Sequence, residues 1–143
     1  MFGSGARLVP GYTMKGDTIA GRFRVEKLLG VGSSGFVVVA RHARLQQRVA
    51  LKILTSLSPG QGKAVLAVAH RVATLTDPHV AHVVDTGLTE EGYPFVATAL
   101  SEGRTVADLL LERGTLSARE AIDIARQACA GLAVAHAAGI VHG

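Results

Sequence analysis

The sequence predicts an α+β domain: a five-stranded antiparallel sheet with one helix inserted after its third strand, followed by two helices. Three observations predict it. Alternating and β-branched runs recur at Phe23–Gly30, Phe36–Ala40, Arg48–Leu54, His82–Leu88 and Pro94–Leu100. Apolar residues Val65, Val68, Ala69, Val72 and Leu75 recur at helical spacing between the third and fourth of these runs. After Gly103 the texture turns helical, with Ser117 and Glu120 spaced as a capping box.

Residues 1–20 hold Gly3, Ser4, Gly5, Pro10, Gly11 and Gly16 without any period, so they read as a mobile tail. From Arg22 onward Phe23, Val25 and Lys27 alternate with Arg24 and Glu26, a strand running to Leu28-Leu29-Gly30. Phe36-Val37-Val38-Val39-Ala40 is a second strand and Arg48 to Leu54 a third. Ser56 to Gly62, with Pro59 and two glycines, reads as a loop, and the first helix is expected over Ala64–Leu75, stopped by Asp77-Pro78. The last two strands flank the turn Glu90-Glu91-Gly92. A short helix over Val106–Arg113 ends at Gly114, and a longer one over Ala118–Ala138 is closed by Gly139.

Composition narrows the function classes. Apolar residues make up 48% and charged residues 18%, a globular balance, while aromatics at 4% leave Val, Leu, Ile and Ala to build the core. The formal charge of +4 is uneven: no acid occurs between Glu26 and Asp77, whereas Lys27, Arg41, Arg44, Arg48, Lys52, Lys63 and Arg71 fall there. Such a segment suits an anionic partner, though a basic solvated surface produces the same count. Scarce aromatics and the lack of a recognition motif argue against nucleic acid. Cys129 is the single cysteine, which fits a reducing cytoplasm. No signal-peptide layout and no run of about 18 apolar residues occurs, so no membrane segment is expected. His42, His70, His79 and His82 lack metal-ligand spacing, and no metal site is expected.

The chemistry-bearing pattern is Gly30-Val31-Gly32-Ser33-Ser34-Gly35-Phe36-Val37. Glycines let a backbone approach a polyphosphate, and the free N–H groups of such a turn point at its oxygens. A dinucleotide-binding turn would lead from strand into helix, but Phe36-Val37-Val38-Val39 is a poor helix start and a good strand. A glycine-rich hairpin without a ligand remains open on these residues alone. Val49-Ala50-Leu51-Lys52 then places an ammonium on the next strand; a strand lysine is either solvated or holds an anion, and beside a glycine hairpin the second reading gains weight.

With both elements in order, the chain resembles a protein kinase of the bacterial, eukaryotic-like serine/threonine type. Asp77-Pro78-His79-Val80 resembles the loop after the family's helix C, Phe95 to Gly103 its fifth strand and hinge, and Leu132 to His142 its helix E running into the catalytic loop. The resemblance implies a small lobe with an ATP site over residues 21–100 and the first helices of a large lobe over 101–143. It implies that Gly30, Val31, Gly32, Ser33, Ser34 and Gly35 cover the phosphates of ATP and that Lys52 binds them. It places Val37 and Ala50 over the adenine, Thr98 at the gatekeeper position, and backbone groups of Ala99 and Leu100 beside the base. A protein Ser/Thr residue would be the phosphoryl acceptor.

Two departures bear on activity. Where the family carries the helix C glutamate that pairs with the strand lysine, this chain has Val68. The family's catalytic Asp, its metal-binding Asn and its D-F-G Asp, the last two being the Mg²⁺ ligands, have no counterpart in these 143 residues, where His142 is followed by Gly143. The chain alone is therefore expected to be inactive in phosphoryl transfer. The alternative is a non-catalytic, pseudokinase-like module that binds nucleotide or a protein partner. Ile122, Ala125, Cys129, Leu132 and Val134 would form a long-helix face short of neighbours, expected to need a partner.

Overall fold

A computed structural model describes residues 15–141. Two compact units result, residues 15–74 with 82–100, and residues 75–81 with 101–141.

The first unit is a six-stranded antiparallel sheet in the order β1-β2-β3-β4-β6-β5, with β1 Thr18–Ile19, β2 Phe23–Gly32, β3 Gly35–His42, β4 Arg48–Ile53, β5 Val83–Leu88 and β6 Pro94–Ala99. The five expected strands are present. The sixth, β1, falls inside the segment read from sequence as tail. It forms because Ile19 is fully buried beside Phe23 and because Glu90 accepts hydrogen bonds from the Ala20 and Gly21 N–H groups at 3.0 and 2.8 Å. That carboxylate comes from the turn between β5 and β6, a contact no local pattern reveals. Residues 1–14 of the expected tail lie outside the described residues.

One sheet face is the core. Phe23, Phe36, Val38, Val49, Leu51, Ile53 and Phe95 are essentially inaccessible, so the alternation seen in the sequence is the alternation of the pleat. Phe23 meets Phe95 edge to face at 5.4 Å and His42 at 5.0 Å. The Arg22 guanidinium lies 5.4 Å from the Phe95 ring and 2.6 Å from Asp85, roofing this cluster with a paired charge. His42 is buried, its Nδ1 accepting from the Arg44 and Leu45 N–H groups at 3.3 Å, so its work is to shape the β3–β4 turn.

Helix α1 spans Pro59–Val72, starting five residues before the expected Ala64. Ser58 caps it, with Gln61 returning the bond to the Ser58 N–H at 3.0 Å. Proline at the first helical position is pre-set for a helix rather than breaking it, which explains why Ser56–Gly62 looked like a loop. The helix packs on β5 and β6, and His70 Nε2 lies 2.7 Å from the Thr86 hydroxyl.

The second unit holds α2 Val106–Arg113 and α3 Ala118–Ala137, each opened by a capping box, Thr105 with Asp108 and Ser117 with Glu120. In both, the carboxyl is drawn below its ordinary value, first by the hydrogen bond from the cap hydroxyl and then by that from the cap N–H. Gly131 is the point where the 75–81 segment meets α3. A Cβ there would stand 2.5 Å from the His79 carbonyl oxygen. Ile122 and Leu132 are exposed at 65% and 40%, so the apolar face read from the sequence is bare in this unit.

Candidate functional site

The candidate site lies on the sheet face opposite the core, and strand register builds it. Gly30 is opposite Val37, Val37 opposite Lys52, and Lys52 opposite Val96. Residues directly opposite in an antiparallel sheet share a face, so these four form one row across β2, β3, β4 and β6. The next row holds Lys27, Val39, Ala50 and Thr98. Neighbouring strands sit about 4.8 Å apart, which puts the Lys52 backbone two strands, about 10 Å, from Gly30. An extended lysine side chain covers much of that gap.

The hairpin between β2 and β3 is a two-residue turn, Ser33-Ser34, between the facing pair Gly32 and Gly35. The three glycines divide into two kinds. A Cβ on Gly30 would meet nothing within 4 Å, and one on Gly32 would only reach the Gly35 carbonyl at 4.0 Å. Their bareness leaves backbone open to solvent. Gly35 is buried with φ +149°, and a Cβ there would fall 1.9 Å from the Ile53 carbonyl oxygen. Its glycine seats the hairpin on β4, a role the spacing of the motif does not disclose. Val31 is exposed at the same tip, at 59%.

Lys52 is exposed and has no ion pair among the described residues. Helix α1 carries no Asp or Glu at all, and Val68 is 41% exposed on it. Val37, Ala50 and Thr98 are half-buried, an apolar floor beside the lysine. The Thr98 Oγ1 stands 3.5 Å from the Ala50 carbonyl, at the outer limit of a hydrogen bond. The Ala99 N–H is donated to the His82 carbonyl at 2.9 Å. Ala99 and Leu100 are both expected to offer backbone groups, and the Ala99 N–H is already used within the sheet. Leu100 follows at the strand end, half-buried. Among the described residues no three His, Cys, Asp or Glu side chains converge as metal ligands.

The arrangement is a bare glycine hairpin, an apolar floor and two ammonium groups, Lys52 and Lys27, without ion pairs among the described residues on a shared face, which suits a ligand with an apolar part and an anionic tail. The protein kinase domain model matches residues 23–143, and the chain belongs to that family. It corresponds to the N-terminal portion of a bacterial, eukaryotic-like serine/threonine kinase domain. It is 36% identical over 134 residues to the serine/threonine-protein kinase PknA of Mycobacterium tuberculosis, covering 89% of this chain and 31% of that protein. It is 31% identical over 132 residues to a probable serine/threonine-protein kinase of Clostridium perfringens, covering 90% of this chain and 19% of that one. The crystal structure of the M. tuberculosis PknI kinase domain superposes with a TM-score of 0.77 at 25% identity, covering 91% of this chain and 53% of that one. The chain thus spans about a third or less of the curated relatives named here.

Proposed function

We propose that this chain forms the ATP-binding part of a protein serine/threonine kinase, acting on a protein substrate in the complete domain. The observation that carries the reading is the row Gly30–Val37–Lys52–Val96, which aligns a bare hairpin with the Lys52 ammonium on one face. In this reading the backbone of Gly30, Val31, Gly32, Ser33 and Ser34 lies over the phosphates. Gly35 holds that hairpin against β4. Lys52 meets the α- and β-phosphates, Val37 and Ala50 pack on the adenine, and Thr98 bounds its pocket. Ala99 offers its carbonyl to the base, its N–H being engaged, and Leu100 offers backbone at the strand end. Mg²⁺, when bound in the complete family, neutralises phosphate charge; these residues supply no ligand set for it.

Phosphoryl transfer depends on positioning and charge neutralisation, and in this reading these residues contribute the grip on the nucleotide. A second reading, a non-catalytic nucleotide-binding or protein-interaction module acting in the cytoplasm, is favoured by one observation. Val68 and the acid-free α1 leave Lys52 without the carboxylate that would hold it. Isothermal titration of ATP, with and without Mg²⁺, into the parent chain and Lys52→Met tests the shared claim. Saturable binding weakened about ten- to a hundredfold in the variant supports it, the equivalent of losing a charged contact of about 1.5–3 kcal/mol. Heats that do not saturate, or equal affinity in both proteins, reject it.

A further inference from the structure

Beyond the nucleotide row, the same sheet face carries a second charged feature. Arg24 is opposite Arg41, and Arg41 is opposite Arg48, so three arginines stand in register across β2, β3 and β4. Like charges directly opposite each other work against sheet pairing. Glu26 relieves part of this: one carboxylate oxygen lies 3.0 Å from Arg41 Nη2 and the other 2.8 Å from Arg48 Nε. Partial desolvation pushes this carboxyl up, but the hydrogen bonds and charges of Arg48 and Arg41 outweigh it and keep it ionised.

Arg24 has no acid partner among the described residues, and neither has Lys15. Both line an open depression of about 420 Å³ together with Gly16, Val25, Glu26 and Arg41. Counting Lys15, Arg24 and Arg41 against Glu26, its lining carries a net charge of +2. The depression lies about 13 Å along β3 from Val37, at roughly 3.3 Å per residue, so it is separate from the glycine hairpin.

We propose that this depression is a binding site for a phosphomonoester dianion, held by Arg24 and Lys15, with Arg41, whose guanidinium already bonds Glu26 and the Gln46 carbonyl, adding positive charge beside them. A phosphomonoester carries about −1.5 to −2 at neutral pH, matching the surplus, and a guanidinium fork grips two of its oxygens at once. A single carboxylate would leave one positive charge over. The depression is larger than a phosphate alone, leaving room for the residue that bears it.

Amide NMR of the whole chain tests this, with three titrants: inorganic phosphate, a short peptide with one phosphoserine, and the same peptide unphosphorylated. Saturable shifts at Gly16, Arg24 and Val25 are expected from the first two only. They should weaken about tenfold or more in Arg24→Gln and in Lys15→Gln, and persist in Lys52→Met. Tighter binding of the phosphopeptide than of inorganic phosphate identifies a phosphorylated protein segment as the source; equal binding identifies the free anion. The proposal is overturned if shifts do not saturate or centre on Gly30–Gly35. It is equally overturned if Arg24→Gln responds like the parent, or if the unphosphorylated peptide binds as well as the phosphorylated one. Loss of ATP binding in Lys52→Met leaves these outcomes untouched, so the two sites stand or fall separately.

Discussion

Gly35→Ala and Gly30→Ala are chemically identical changes five positions apart in one motif, and the structure assigns them opposite consequences. At Gly35 a methyl group would sit 1.9 Å from the Ile53 carbonyl oxygen, 2.9 Å from its carbon and 3.0 Å from the Thr55 nitrogen. All three are backbone atoms of β4 or its exit, so no side chain can swing aside. The φ of +149° adds a backbone penalty of about 1–3 kcal/mol for a residue with a Cβ. Forcing the strands apart adds about 1–3 kcal/mol more. Taking about 3 kcal/mol as the sum, a unit of this size should melt about 12–24 °C lower. At Gly30 the methyl meets nothing within 4 Å, so the melting temperature should stay within about 2 °C of the parent. Gly30→Ala should instead weaken ATP binding, because the added group stands where phosphate is proposed to lie. Thermal unfolding by far-ultraviolet circular dichroism, paired with ATP titration, reads both effects. Equal melting of the two variants, or a larger loss in Gly30→Ala, would refute the division of the motif into a seating glycine and an open one.

Phe95→Ala removes the ring that Phe23 and Arg22 pack on and should cost about 3–5 kcal/mol, checked by urea denaturation. Glu26→Gln leaves three arginines in register with no acid between them. Its stability should fall at low salt and recover on raising salt to about 0.5 M, whereas the parent should show no such recovery. Asp108 and Glu120 have folded pKa values lowered from 3.8 and 4.5. Their contribution is therefore complete above those values and is lost as pH falls through the lowered folded ones. Acidification below about pH 4 should thus fray the starts of α2 and α3 first, visible as faster amide exchange at Asp108 and Glu120 than at mid-helix positions. Gly131→Ala should push the 75–81 segment off α3, seen as amide shifts at His79 and Val80, while leaving β2 to β6 unmoved.

Most of the sheet is legible in the residues because each strand has one buried face, and burial imposes a period of two that Phe23-Arg24-Val25-Glu26 and Val49-Ala50-Leu51-Lys52 display. The capping box at Ser117 is equally local, since both partners lie within one turn, whereas the one at Thr105, closed by Asp108 rather than Glu or Gln, was not read from the sequence. The start of α1 was hidden because its first turn contains Pro59, Gly60 and Gly62, all read as breakers, while the Ser58–Gln61 exchange overrides them. Strand β1 was hidden because two residues cannot show a period.

The sequence alone determined the order of the elements from β2 onward, the family, and which residues are candidates for the nucleotide: glycine spacing and strand period are local, and local rules read them. Only the tertiary structure decided which glycine seats the hairpin, that Ala99 has spent its N–H, and that Arg24, Arg41 and Arg48 fall in one row. Each of those depends on strand register, which brings together residues far apart in the chain through backbone pairing that no stretch of sequence encodes by itself.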